Sequence, residues 1–315
     1  MADFQYKQNI ATTARDIIRT ITDHLTTLAL PECAWTLSYP ANNSLTTDKA
    51  IIQTTTTVGQ PQTFYLKFER DPLKFNCLTV QYSKDFAGDD LSGDFLSAPA
   101  RYAWYREDPN LITYDWLGVE IAMSFSKNFI NLVLQGAPSL DYAPYNNYLI
   151  SYMYAGQLES FEGGYADDLY NFGLTAGSDI FPAPADLPIT YGRRTATAIT
   201  DIDMLGTRTG TPYQAHLIKF NTSWEWSDRN FISSSAWTRK YPASPMTVWH
   251  AYDRDRGKLQ NVLILDRAAI FHLDTLFEHR GEPEQKEYVM FNINAPYSII
   301  NNSPNVLFGI ALRKS

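Results

Sequence analysis

From Thr12 to about Leu30 the apolar residues Ala14, Ile17, Ile18, Ile21, Leu25 and Leu28 recur every three or four positions. Arg15, Asp16, Arg19, Asp23 and Thr26 fall between them. That period predicts one amphipathic helix. Thr12 or Thr13 can accept a hydrogen bond from the first turn, and Pro31 ends the helix because it lacks a donor and forces Leu30 out of helical geometry. The apolar stripe can pack on the body of the same chain or dock on a neighbouring subunit, and the pattern leaves both open.

Beyond Pro31 the period changes to two. Ala50 to Thr57 is rich in Ile and Thr, Thr63 to Glu69 alternates, and Asn76 to Tyr82 alternates again, with Arg70-Asp71-Pro72-Leu73-Lys74 joining the last two as a hairpin. The face carrying Phe64, Leu66 and Phe68 is predicted to be buried, since a slip of one residue would put Lys67 and Glu69 in the core. Asp85 to Pro109 is acidic and contains glycine, and reads as a long exposed loop. Val119 to Phe125 and Phe129 to Gln135 follow, spaced by Lys127-Asn128 as a hairpin. A continuous helix from Trp116 to Leu134 competes, but Gly118 and the β-branched and aromatic content favour strands.

Gly136-Ala137-Pro138 and the Pro and Asn cluster out to Asn147 suggest a boundary. It divides residues 1–136, a helix plus antiparallel strands, from a β-rich part over 137–315; a single intertwined domain is the alternative. Strands are expected at Tyr148–Tyr154, Pro212–Phe220, Met246–His250, Val262–Leu265, Tyr288–Ile293 and in the apolar run Val306–Arg313. The predicted class is mainly β, sandwich-like, either two packed sheets or a pair of subdomains, with one N-terminal helix and a few minor helices.

Composition narrows the function classes. Hydrophobic residues make up 44% and charged residues 19%, which argues for a folded chain. Aromatic residues reach 14%, and Tyr and Trp combine apolar area with a polar tip, which suits strands and contact surfaces. A net charge of −8 opposes sequence-independent binding to nucleic acid, so no direct nucleic-acid partner is expected. Cys33 and Cys77 lie outside any CxxC spacing and read as buried apolar groups. The N-terminal residues lack a signal-peptide pattern, and no apolar run is long enough to insert in a membrane, so folding in a cytoplasm is expected.

The search for chemistry returns weak patterns. Asp167-Asp168, Asp201 with Asp203 and Asp253 with Asp255 are carboxylate pairs too close in sequence to span a cleft. His24, His216, His250, His272 and His279 have no zinc spacing, and Gly206 to Thr211 lacks the lysine of a phosphate loop. The acidic stretch Asp85 to Asp90 does not follow the order of ligands in a calcium loop. No catalytic, cofactor or metal residue is therefore nominated, and a non-enzymatic role is expected.

Gln214-Ala215-His216, Ser244 to His250, Tyr252 to Leu259 and Asn294 to Lys314 resemble blocks in tail-associated structural proteins of tailed bacteriophages. Asn147 to Phe161 and Thr200 to Met204 are similar to the same group. The resemblance implies a virion component, a tail or baseplate ring protein assembled in the host cytoplasm, with other virion proteins and further copies of itself as partners. It brings no catalytic residue with it. Trp104, Tyr105, Trp224, Trp226 and Trp237 fall in predicted connections and are the candidate interface anchors; ordinary local packing is the alternative for each. A receptor or carbohydrate-binding tail module, stacking such rings on sugars, is the alternative function, and a cell-wall hydrolase the second.

Overall fold

The computed structural model describes residues 2–10, 13–40, 48–59, 61–70, 77–95, 100–103, 119–136, 150–159, 172–177, 189–193, 213–214, 243–250, 255–266, 275–278, 286–294 and 307–314. They form three six-stranded sheets and one helix, α1 (Ala14–Thr26). A central sheet runs in the order β1 (Asp3–Ile10), β8 (Val119–Ser126), β9 (Phe129–Gly136), β10 (Ile150–Gly156), β11 (Phe172–Gly177) and β12 (Ile189–Arg193). An N-terminal sheet runs β2 (Thr36–Tyr39), β3 (Lys49–Thr55), β4 (Thr63–Arg70), β5 (Cys77–Ala87) and β6 (Asp90–Phe95), with β7 (Ala100–Ala103) also paired to β5. A C-terminal sheet runs β13 (Tyr213–Gln214), β14 (Ala243–His250), β15 (Asp255–Asp266), β18 (Leu307–Arg313), β17 (Lys286–Asn294) and β16 (Thr275–Glu278). The fold is mainly β and sandwich-like, as the alternating pattern requires, but the described strands make three sheets where two packed sheets or a pair of subdomains were expected. Among the described residues α1 is the only helix, so the minor helices expected from the sequence are not found there.

Thr13 caps α1 with extended backbone, its Oγ1 accepting from Asp16 N at 3.2 Å. The helix buries Ala14, Ile17, Ile18, Ile21 and Leu25 against this chain's own sheets, and each large apolar side chain so buried is worth about 1.5–3 kcal/mol. The apolar stripe ends sooner than predicted. Thr27 N and Leu28 N both donate to Asp23 O at 2.9 Å, which closes the helix at Thr26 and leaves Leu28 57% exposed. Trp35 ties the layers beyond the helix. Its Nε1 donates to Ser126 O at 2.9 Å, and its ring meets Phe64 edge-on with centroids 5.3 Å apart.

Register explains the core. Ala50, Ile52 and Thr54 of β3 face Phe68, Leu66 and Phe64 of β4, and Leu66 and Phe68 face Tyr82 and Val80 of β5, so one face of the N-terminal sheet is continuous. It packs against Val119, Ile121, Met123, Phe125, Ile130, Leu132, Leu134, Met153 and Ala155 of the central sheet. The opposite face of the central sheet carries Ala122, Ser124, Asn131, Val133, Tyr152 and Tyr154, all buried as well. Over β8, β9 and β10, therefore, the central sheet is enclosed on both sides, apolar on one face and partly polar on the other. The C-terminal sheet lies on the polar side, with β15 near β9, β17 near β10 and β18 near β8.

One reading of the sequence changes. Asp85 to Pro109 is not a long loop as far as it is described. β5 continues to Ala87, Gly88 turns the chain at φ +69, and β6 and β7 follow. The alternation Phe86, Leu91 is present there, but the surrounding acidic residues mask it, and ion pairs formed only in the fold stabilise it. Across residue 136, Gly156 to Ile150 of β10 face Phe129 to Gln135 of β9.

Candidate functional site: the C-terminal sheet and its polar seam

Four of the sequence blocks singled out above contribute adjacent strands. Gln214 ends β13, Ser244 to His250 lie in β14, Asp255 to Leu259 open β15, and Leu307 to Arg313 form β18, and these strands are consecutive in the sheet. A fifth block supplies β10 and the residues after it. Glu159 and Lys258 exchange backbone hydrogen bonds of 2.9 and 2.8 Å, and their side chains form an ion pair at 2.9 Å. The segment that follows β10 is thus joined to β15 both by pairing and by charge.

The seam between the central and C-terminal sheets is held by hydrogen bonds from buried side chains. Asn131 Nδ2 donates to Gln260 O at 2.8 Å, Tyr152 Oη donates to Asn131 Oδ1 at 2.7 Å, and Gln260 Nε2 donates to Gln157 O at 2.7 Å. Tyr154 Oη also donates to Gln157 O, and Gln157 Nε2 reaches Val58 O at 3.0 Å, so one residue contacts all three layers. Ser124 Oγ and Gln157 Oε1 are buried and find no partner among the described residues. The turn at Lys127-Asn128 adds a second junction. Asn128 Oδ1 accepts from Thr57 N at 2.7 Å, and Asn128 O accepts from Gln157 N at 2.8 Å. Such networks favour one docking geometry, because every alternative leaves buried donors unpaired.

Gly156 permits that close approach. Its φ is +128, and a Cβ there would lie 2.1 Å from Asn128 O and 2.5 Å from Phe129 Cα. Only glycine fits such a backbone at such a distance.

The nominated anchors Trp104, Tyr105, Trp224, Trp226 and Trp237 lie outside the described residues, as do Asp167, Asp168, Asp201, Asp203, Asp253, His216, His272, His279 and the Gly206 to Thr211 stretch. Asp255 and His250 fall on β15 and β14 at the same end of their pairing, where Trp249 faces Asp255. Cys33 is buried, and burial, then the charges of Asp3 and Glu32, push its thiol above its ordinary value, which keeps it protonated and unreactive. His24 accompanies α1, its Nδ1 3.2 Å from Gln5 Oε1, while Gln5 Nε2 donates to Asp3 at 3.1 Å and Asp3 Oδ2 accepts from Leu30 N at 2.8 Å. Burial, then Lys7, holds the His24 pKa below its ordinary value against the opposing charges of Asp23 and Asp3. Among the described residues no three His, Cys, Asp or Glu side chains converge as metal ligands, and no helix is long and apolar enough to cross a membrane.

The seam residues Asn131, Tyr152, Gln157 and Gln260 were not singled out in the sequence. A signal existed for Asn131, a carboxamide inside the otherwise apolar Phe129 to Leu134 run, which in a sheet buried on both faces must find a partner. No family model, curated protein or solved structure matches the chain.

Proposed function

We propose that this protein is a structural component of a bacteriophage virion, a tail or baseplate ring protein that works through protein–protein contacts. The observation that carries the reading is the clustering of the resembling blocks. Segments scattered from Asn147 to Lys314 come together on β13, β14, β15 and β18 and on β10 docked against them. Local similarities that share one contiguous piece of architecture are what a common structural part would produce. A rigid, hydrogen-bonded seam beneath that sheet supports the same role, since a part that locks onto neighbours gains from surfaces already ordered before contact. Its partners in this reading are other virion proteins and further copies of the chain, and its location is the tail.

Mass spectrometry of purified particles tests the proposal. The protein is expected at a fixed ratio to the other tail proteins, and cross-links are expected from the C-terminal sheet to a neighbour. Its absence from particles would sink the reading.

A further inference from the structure

The tip of the β5–β6 hairpin is not where a flat sheet would put it. Lys67 of β4 faces Gln81 of β5, whereas Asp90 faces Ala87, six residues further along β5. At ~3.3 Å per residue that separation is about 20 Å, well beyond the reach of one lysine side chain. Yet Lys67 Nζ lies 2.7 Å from Asp90 Oδ1, and Lys49 Nζ of β3 lies 3.5 Å from Asp89 Oδ2. The hairpin must therefore turn back over the sheet, and the register shift between Ser83 and Asp85 is where it bends.

Side-chain positions agree with that geometry. Tyr65 and Lys67 point away from the face formed by Phe64, Leu66 and Phe68, and Phe86 of the hairpin stacks on Tyr65 with centroids 5.5 Å apart. Leu91 faces Phe86 within the hairpin and is buried, and Ile51, which faces Lys67 from β3, is fully buried on the same outer side. β6 lies close to β4, as folding back requires.

We infer that the β5–β6 hairpin is a latched flap, hinged at the Ser83–Asp85 bulge, which lifts as a unit to uncover Ile51, Tyr65 and Lys67 while β3 and β4 stay paired. The latch is weak by construction. Asp89 and Asp90 are 69% and 54% exposed, so salt screens both pairs. Lys67 also lies 3.3 Å from Glu69 on its own strand, so lifting the flap leaves the lysine a counter-charge and a route to water. Beneath the latch, the described side-chain contacts that hold the hairpin down include one ring stack and two buried aliphatic side chains.

Acylation of Lys67 in the unmodified chain, read by peptide mass spectrometry at about 0.05 M and about 1 M NaCl, reports opening directly. Exposed Lys7 serves as the reference for the reagent, and Lys314, paired with Glu287 at 2.9 Å, as the reference for the effect of salt on an exposed ion pair. The Lys67 rate relative to those references is expected to rise about 2- to 30-fold in high salt, and by a similar factor in D89N at low salt. Thiol labelling supplies a second probe. Ile51→Cys, beneath the flap, is expected to follow the same salt dependence, whereas Ile52→Cys on the core face stays unlabelled until the protein unfolds. A Lys67 rate indifferent to both salt and D89N overturns the inference. So does labelling of Ile51→Cys in step with Ile52→Cys, which would mean that the hairpin opens only with the whole sheet.

Discussion

Replacing Gly156 by alanine tests the account of the three-layer junction most directly. Its φ of +128 lies where residues with a side chain are strained by about 1–3 kcal/mol. The added Cβ would meet Asn128 O at 2.1 Å and Phe129 Cα at 2.5 Å, both main-chain atoms that cannot rotate away. Relief requires β10 to move off the Lys127-Asn128 turn, which breaks the 2.8 Å bond from Gln157 N to Asn128 O, a loss of about 1 kcal/mol or more when the donor stays buried. Together these effects predict a destabilisation of about 3–5 kcal/mol, a large share of an ordinary domain's stability. Gly88→Ala and Gly59→Ala are the controls. Both glycines have φ +69, and a Cβ at either meets nothing within 4 Å, so only the left-handed backbone cost of about 1–2 kcal/mol applies. Urea denaturation followed by tryptophan fluorescence gives all three values on one scale. If Gly156→Ala proves no more damaging than Gly88→Ala, the close approach described here is wrong.

Asn131→Leu keeps the branching but strands Tyr152 Oη and Gln260 O, so a loss of about 2–4 kcal/mol is expected in the same assay. At the latch, burial raises the Asp90 pKa, but the hydrogen bonds from Lys67 and Leu91 N and the charges of Lys67 and Lys49 outweigh it and hold the carboxyl below 3.8. Its stabilising contribution is therefore present above pH 3.8 and lost as pH falls through the lower folded value; D90N should remove that acid-side component from a stability–pH curve. Lys67 is held above 10.5 despite burial, by Asp90 and Glu69, so its contribution persists below pH 10.5 and disappears only as pH rises past the folded value. His24 acts in the opposite sense. With its folded pKa below 6.5, the unfolded chain binds the proton more readily, so stability falls as pH drops from 6.5 towards the folded value, and His24→Gln should flatten that limb of the curve.

Elements with a strong internal period were legible. The helix, β3, β4, β5 and the β8–β9 hairpin could be read because apolar positions recur at the spacing of the structure, with Lys127-Asn128 turning the chain where expected. β1 was not, since Asp3 to Ile10 alternates weakly and its partner β8 lies more than a hundred residues away, so only tertiary pairing makes it a strand. β6 was hidden by its carboxylates, whose lysine partners come from β3 and β4. The polar seam was hidden for a similar reason. Asn131, Gln157 and Gln260 become informative only once their strands are known to be enclosed on both faces.

β18 is the last described strand to leave the ribosome, and it occupies the middle of its sheet, between β15 and β17. Every described strand of the other two layers has been synthesised by Arg193, so those strands can pair while β16 and β17 still wait for a neighbour. Loss of Leu307 onward would therefore split the late layer into two pieces instead of fraying its border.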